Sequence, residues 1–315
     1  MLKRVLSGIV YVAVIVGFFF LRGLVDSRLF GILIYAFSLI GTYEMVHAFS
    51  AKRVLENGKD EVPDQSFDLL PNKDAQLPAT DMALSLSQKI AVYVYALLFT
   101  PAYYIVEWLW AGHGYRGMLI ATFVLGLVLL CLLVVDHKNT DLKNTGAAMF
   151  CGFYPTAILS TMILANAFKE ASALALLLIF VISPVADTFA FLIGSMIGGK
   201  KLCPSISPKK TIAGAVGGVV FGTGASVLMY CLYTLAVPYE YAGIGNPWVM
   251  FVVVGLITSL MTEFGDLVES VIKRHLGIKD MGKIMPGHGG ILDRIDGTLF
   301  ASTFVYIVFV LFIVR

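Results

Sequence analysis

The chain has 315 residues, of which 58% are hydrophobic and only 14% are charged. Soluble domains carry about 25% charged residues, so this chain has either a large buried core or membrane spans, and the arrangement of its apolar residues decides for the spans. The net charge of +2 excludes nothing; its distribution along the chain does.

The apolar residues fall into nine blocks, at 5–21, 29–49, 89–110, 117–135, 146–165, 171–198, 213–236, 248–272 and 298–314. Each is long enough to cross a hydrocarbon layer about 30 Å thick. Lipid offers no partner for unpaired backbone groups, so such spans must be helices. The expected fold is therefore all-α, a polytopic membrane protein with about nine transmembrane helices and a single membrane-embedded domain, 1–315. The first block follows Lys3 and Arg4 but is not followed by a small-residue cleavage site, so it reads as an uncleaved span. Between the second and third blocks, loop 50–88 holds Pro63, Pro71, Pro78 and mixed charge, and reads as a solvated connector. Cys131, Cys151, Cys203 and Cys231 have neither metal-site nor redox spacing and read as small packing residues.

Charge inside a span is costly and usually functional. The sixth block carries Asp187 beside Pro184, and the eighth carries Glu263, Asp266 and Glu269, the only two spans singled out on this ground. On the eighth helix Glu263, Asp266 and Ser270 share a face. Between the sixth and seventh blocks, GSMIGGKKLCPSISPKKTIAG joins Lys200, Lys201, Lys209 and Lys210 to Ser205, Ser207 and Thr211 on flexible, turn-forming backbone. Such a loop suits a polyphosphate, or serves simply as a basic cytoplasmic loop. GSMIGGKK is not a P-loop, because Lys201 stands where a hydroxyl is needed and no strand precedes it. Gly194 and Gly198, like Gly214 and Gly218, have the spacing that lets helices approach closely.

The polar stretch 273–297, KRHLGIKDMGKIMPGHGGILDRIDG, packs five Lys or Arg and three Asp between two apolar spans. Asp293 and Asp296 lie three apart there, and with Asp266 they flank one short loop. Ionised carboxylates this close repel unless a cation sits among them or each pairs with a base such as Arg294 or Lys273. Oxygen-only ligands at a phosphate site suit Mg²⁺. His288 either donates to a phosphate or fixes the turn, and Gly287, Gly289 and Gly290 supply positive φ or room for a ligand. With loops assigned alternately to two sides, the side holding 199–212 and 273–297 has 18 Lys and Arg against 5. That bias points this side to the cytoplasm.

The run Ser270–Asp296 resembles the signature of the integral-membrane phosphatidate cytidylyltransferases, with Lys-Arg, Lys-Asp, Pro-x-His-Gly-Gly and Asp-Arg-x-Asp at matching spacing. The likeness extends to GDLVES, SPKKT, Asp187-Thr188, the N-terminal LKRVLSGI and Tyr43-Glu44, but not to loop 50–88. One position departs: Ala213 stands where the family usually has Glu or Gln. The resemblance implies transfer of a cytidylyl group from CTP to phosphatidate, giving CDP-diacylglycerol and pyrophosphate. It implies Mg²⁺ at Asp266, Asp293 and Asp296, leaves open a second, monovalent cation, and implies a homodimer in a bacterial cytoplasmic membrane with no nucleic-acid partner. On this reading Asp266, Asp293, Asp296 and Lys210 are catalytic. Ser207, Lys209, Lys210, Thr211, Lys273, Arg274, Lys279, Asp280, His288 and Arg294 then contact substrate. A phosphomonoester nucleophile is already ionised, which agrees with charge clusters and no Ser-His-Asp triad. The rivals are a CTP-dependent lipid-alcohol kinase, a cytidylyltransferase for another lipid phosphate and, remotely, a transporter, which inverted repeats would mark.

Overall fold

A computed structural model of the chain describes residues 2–50 and 82–314. Most of loop 50–88, at 51–81, lies outside the described residues. Among these residues nine helical stretches are long and apolar enough to cross a membrane, and they follow the nine apolar blocks closely. They are α1 (Leu2–Leu24), α2 (Arg28–Ser50), α3 (Leu86–Leu109), α4 (Tyr115–Val135), a broken fifth span, a sixth ending in α7 (Ser172–Ile197), α8 (Ile212–Ala236), α9 (Pro247–Leu276) and a ninth beginning with α10 (Leu292–Val308). The fifth span is α5 (Leu142–Gly152) and α6 (Ile158–Asn166), joined by a π-helical turn over Phe153–Ala157. Pro155 lies in that turn, and its missing N–H accounts for a local break in the helical ladder.

Two departures bear on function. The stretch expected to be a flexible loop contains an antiparallel hairpin, β1 (Lys201–Cys203) and β2 (Ser207–Thr211), with Lys201 opposite Thr211. The ninth span starts at Leu292 rather than 298, which takes Asp293 and Asp296 into the helix. Its charged first turn hides that start from a hydropathy reading.

The chain divides into two packing units, Met1–Ser160 with Lys273–Asp293, and Thr161–Ile272 with Arg294–Arg315. In the first, Phe30, Ile34, Met45, Val92, Phe99, Leu129 and Tyr154 form the core. Capping boxes start both α3 (Ser85 with Gln88) and α5 (Asp141 with Asn144). The two boxes are joined, because Gln88 Nε2 donates to Asn144 Oδ1 at 2.8 Å and to Thr145 Oγ1 at 3.2 Å. Such caps contribute about 1 kcal/mol each by satisfying N–H groups that a helix leaves open.

In the second unit α7 and α8 pack along small residues. A Cβ on Gly214 would meet Ala190 O at 2.5 Å and Gly194 Cα at 3.1 Å, and one on Gly218 would meet Ala186 O at 2.8 Å. Gly194, Gly214 and Gly218 thus permit close helix approach, as their spacing suggested. Gly198 does not: nothing lies within 4 Å of its would-be Cβ. Its φ of +65°, followed by +90° at Gly199, turns the chain out of α7 into β1.

Candidate active site

In the second unit the hairpin delivers its last residues directly to the start of α8. Thr211 closes β2 and caps α8, its Oγ1 accepting the Gly214 N–H at 3.1 Å. The preceding residue, Lys210, is thereby fixed against α9, where Nζ lies 2.8 Å from Glu263 Oε2 and 2.7 Å from Asp266 Oδ2. Glu263 and Asp266 reach the same ammonium because residues three apart share a helix face. Burial alone would lower the Lys210 pKa, but the carboxylates of Asp266 and Glu263 outweigh it and hold it above the ordinary lysine value. The other oxygen of Glu263, Oε1, is buried with no hydrogen-bond partner among the described residues.

A cavity of about 490 Å³ opens beside this pair. Its polar wall holds Asp187, Lys201, Ser207, Lys209, Lys210, Thr211, Glu263 and Asp266, and its apolar wall includes Ala190 and Phe191 of α7. Asp187 has the carboxyls of Asp296, Asp266 and Glu263 and the ammonium of Lys210 within electrostatic reach. The structure thus gathers Asp266, Asp296, Lys210, Lys209, Ser207 and Thr211 in one unit, and adds Asp187 and Glu263. No three described His, Cys, Asp or Glu side chains are grouped tightly enough to hold a metal ion by themselves.

The remaining expected residues, apart from the exposed Arg294, lie in the first unit. Asp293 is buried, and Lys273 Nζ donates to its Oδ1 at 2.9 Å. Its Oδ2 accepts the Met281 and Gly290 N–H groups, each at 2.8 Å. Base pairing, one of the two readings open in the sequence, is therefore realised here by Lys273 and not by Arg294, whose side chain is exposed. Arg274 and Asp280 are partly exposed, and Lys279 is exposed. The turn holding His288 is closed by Met285 N–H donating to Gly289 O at 2.9 Å. Gly287 and Gly289 adopt φ of +79° and +87°, the backbone that favours glycine. Gly290 does not, and its reason is different: a Cβ there would lie 2.6 Å from Glu44 Cδ, Oε1 and Oε2. His288 Nδ1 is 2.7 Å from Ser7 Oγ, which also donates to Pro286 O at 3.2 Å. The tautomer of His288 sets which of Nδ1 and the Ser7 hydroxyl donates to the other.

Glu44 corrects the sequence reading, which credited only the sixth and eighth spans with internal carboxylates. It sits in α2 at 2% exposure. Its Oε1 accepts the Ile291 N–H and its Oε2 the Leu292 N–H, both at 2.9 Å. The signal was present, since a glutamate inside the apolar run ILIYAFSLIGTYEMVHAF is as expensive as any in the later spans. Glu107, in α3, is a second omission; its two oxygens accept the Gly112 and Gly114 N–H groups of the α3–α4 turn.

Comparison with known proteins gives a family. Residues 77–312 match the cytidylyltransferase family. The phosphatidate cytidylyltransferase of Thermotoga maritima is 35% identical over 189 residues, 59% of this chain and 67% of that protein. That of Bacillus subtilis is 40% identical over 126 residues, 40% of this chain and 44% of that protein. The Staphylococcus aureus (strain COL) protein is 46% identical over 123 residues, 38% of this chain and 43% of its own length. The chain thus spans less than half the length of the Bacillus and Staphylococcus relatives that it matches.

Proposed function

The chain belongs to the cytidylyltransferase family, and we infer that it transfers the cytidylyl group of CTP to phosphatidate, giving CDP-diacylglycerol and pyrophosphate. The observation that carries this reading is the second-unit cavity, where lysines and hydroxyls face a cluster of carboxyls and one wall is apolar. Lysines 201, 209 and 210 neutralise phosphate charge, and the hydroxyl of Ser207 adds a hydrogen-bond donor. The phosphomonoester oxygen of phosphatidate attacks the α-phosphorus of CTP, the bond to the β-phosphate bridging oxygen breaks, and pyrophosphate leaves. The nucleophile is largely ionised near neutral pH, so no side chain need act as general base.

The donor set fits a hard divalent cation. Around Asp187 stand three carboxyls and one lysine, and the buried Glu263 Oε1 lacks a partner among the described residues. Mg²⁺ commonly takes only one or two carboxylates and fills its octahedron with water and phosphate oxygens, so a tight three-acid cage is not required. Asp266 and Asp296 would hold it. Asp293, the third acid that the resemblance assigns to the cation, already accepts from Lys273 and from the Met281 and Gly290 N–H groups. Bound Mg²⁺ would supply neutralisation of charge on the transferring phosphates. A homodimer in a bacterial cytoplasmic membrane, with the hairpin on the cytoplasmic side, completes the proposal; the 18-to-5 distribution of Lys and Arg supports that orientation.

The test uses purified protein, Mg²⁺ and CTP labelled separately at the α- and γ-phosphorus. Label from the α position should enter lipid only when phosphatidate is supplied, and γ-label should leave as pyrophosphate. Transfer of γ-label to diacylglycerol or another lipid alcohol would overturn the reading in favour of a kinase. Single cysteines in 199–212 and 273–297 should react only from the cytoplasmic side, and native mass spectrometry should find two copies per particle.

A further inference from the structure

The first two helices precede the family match, which begins at residue 77, yet both reach into the signature loop within their own packing unit. Glu44 takes two backbone N–H groups from residues that are 247 and 248 positions away. Gly282 and Gly290 wall its carboxyl on two sides: a Cβ on Gly282 would lie 2.6 Å from Glu44 Oε1, with Glu44 Cδ and Cγ next nearest. Ser7 of α1 holds His288 in the same loop. α1 also stacks Tyr11 on Phe37 of α2, with ring centroids 6.0 Å apart.

The N–H groups of Gly290, Ile291 and Leu292 are consecutive, and all three are filled by buried carboxylates, the first by Asp293 and the others by Glu44. Successive N–H groups at a helix start ordinarily invite an anion. Here the protein's own side chains occupy that position, so these groups fix the backbone that carries Lys279, Asp280 and His288. We propose that Glu44 is a positioning residue for the transferase reaction: its carboxylate, delivered by α2, sets the 277–292 loop, and Ser7 sets the ring of His288 within it. The kinetic part rests on the reading under Proposed function; the structural part does not.

Glu44→Gln tests it with little change of size. A glutamine can accept one of the two N–H groups, but its own NH₂ then faces the other donor. In the purified full chain, hydrogen exchange of a peptide spanning 286–293 should accelerate, while peptides from α4 and α8 stay as in wild type. With CTP and phosphatidate, kcat should fall roughly 10- to 100-fold, the scale of a small misplacement of reacting groups, with KM for either substrate changing less than about threefold. Ser7→Ala should accelerate exchange in the same peptide less and lower kcat less, and it serves as the readout if Glu44→Gln does not accumulate. Unchanged exchange at 286–293 in both variants would overturn the proposal. So would accelerated exchange with a wild-type kcat. If the wild-type protein transfers no cytidylyl group at all, the function is wrong, and the exchange measurement still decides whether Glu44 sets the loop.

Discussion

Glu44 and Asp293 in the first unit receive at least five hydrogen bonds between them, four from backbone N–H groups and one from Lys273. In the second unit, Glu263 and Asp266 share the ammonium of Lys210, and Glu263 keeps a buried oxygen without a partner among the described residues. Both clusters are acids in a predominantly apolar chain, where each must be compensated. The first is compensated inwardly, by the chain's own backbone, and so organises a loop. The second is compensated in part and opens on a cavity, the place where the proposed function puts cations and phosphates. Saturated acids build the loop; on the proposed function, under-saturated ones handle ligand charge.

The largest effects should come from the second cluster. Lys210→Ala removes the group proposed to neutralise phosphate and leaves buried Glu263 and partly buried Asp266 without their cation. Activity should fall by about 10²–10³-fold or more, and stability by roughly 3–5 kcal/mol, as when one partner of a buried pair is lost. Asp266→Asn should lose a similar factor in rate while shifting the Mg²⁺ requirement upward. A stable, active Lys210→Ala protein would erase the distinction between the clusters.

Asp293→Asn comes next, and it sharpens the comparison. The amide keeps the shape, but its NH₂ faces donors at Met281 and Gly290 or at Lys273, whichever way it is turned. Thermal unfolding should therefore suffer more from Asp293→Asn than from Asp266→Asn. The Mg²⁺ titration should show the opposite order. A larger Mg²⁺ shift for Asp293→Asn would move that residue from the saturated class into the ligand-handling one.

Much of this arrangement was legible in the sequence. The nine spans follow from block length alone, and the pairing of Lys273 with Asp293 was one of the readings that the spacing allowed. What could not be read was tertiary. That Lys210 sits between Glu263 and Asp266 depends on a hairpin whose strands are only three and five residues long, in a stretch rich in Pro, Gly and Ser. Contact between Glu44 and Leu292 joins residues 248 apart, with no local periodicity to announce it. Gly282 and Gly290 look like turn glycines, but both are small because a carboxyl from another helix lies against them.

The glycine contacts give a smaller and more specific prediction. Gly282→Ala should destabilise the wild type, because its methyl would press on three atoms of Glu44. In a Glu44→Ala background the same methyl gains room, so the second substitution should cost less. The coupling should fall in the range of about 0.5–3 kcal/mol seen for residues in contact. Strict additivity would mean that Glu44 does not wall this loop.

The smallest expected effect lies at the α4–α5 connection, where an acid is satisfied at the surface instead of in the interior. The Ser87 hydroxyl donates to Asp136 Oδ2 at 2.6 Å, and Asn139 Nδ2 donates to Oδ1 at 2.7 Å. These bonds favour the ionised form and hold the Asp136 pKa below the usual aspartate value. A depressed carboxyl pKa adds stability that is fully present above the unfolded-state value, about 3.9, and is lost as pH falls through the folded value. Ser87→Ala should therefore lower the melting temperature slightly at pH 7, with the gap to wild type narrowing as the pH drops below about 4. Lys210 has the opposite sign: its raised pKa gives a contribution that is undiminished at both pH 7 and pH 4 in this respect and is lost only far into the alkaline range. Melting curves of wild type and Ser87→Ala from pH 7 down to about pH 2.5, through the folded-state titration of Asp136, measure that gap. A Ser87→Ala gap that widens toward acid would show that Asp136 is not stabilised as a carboxylate by these bonds.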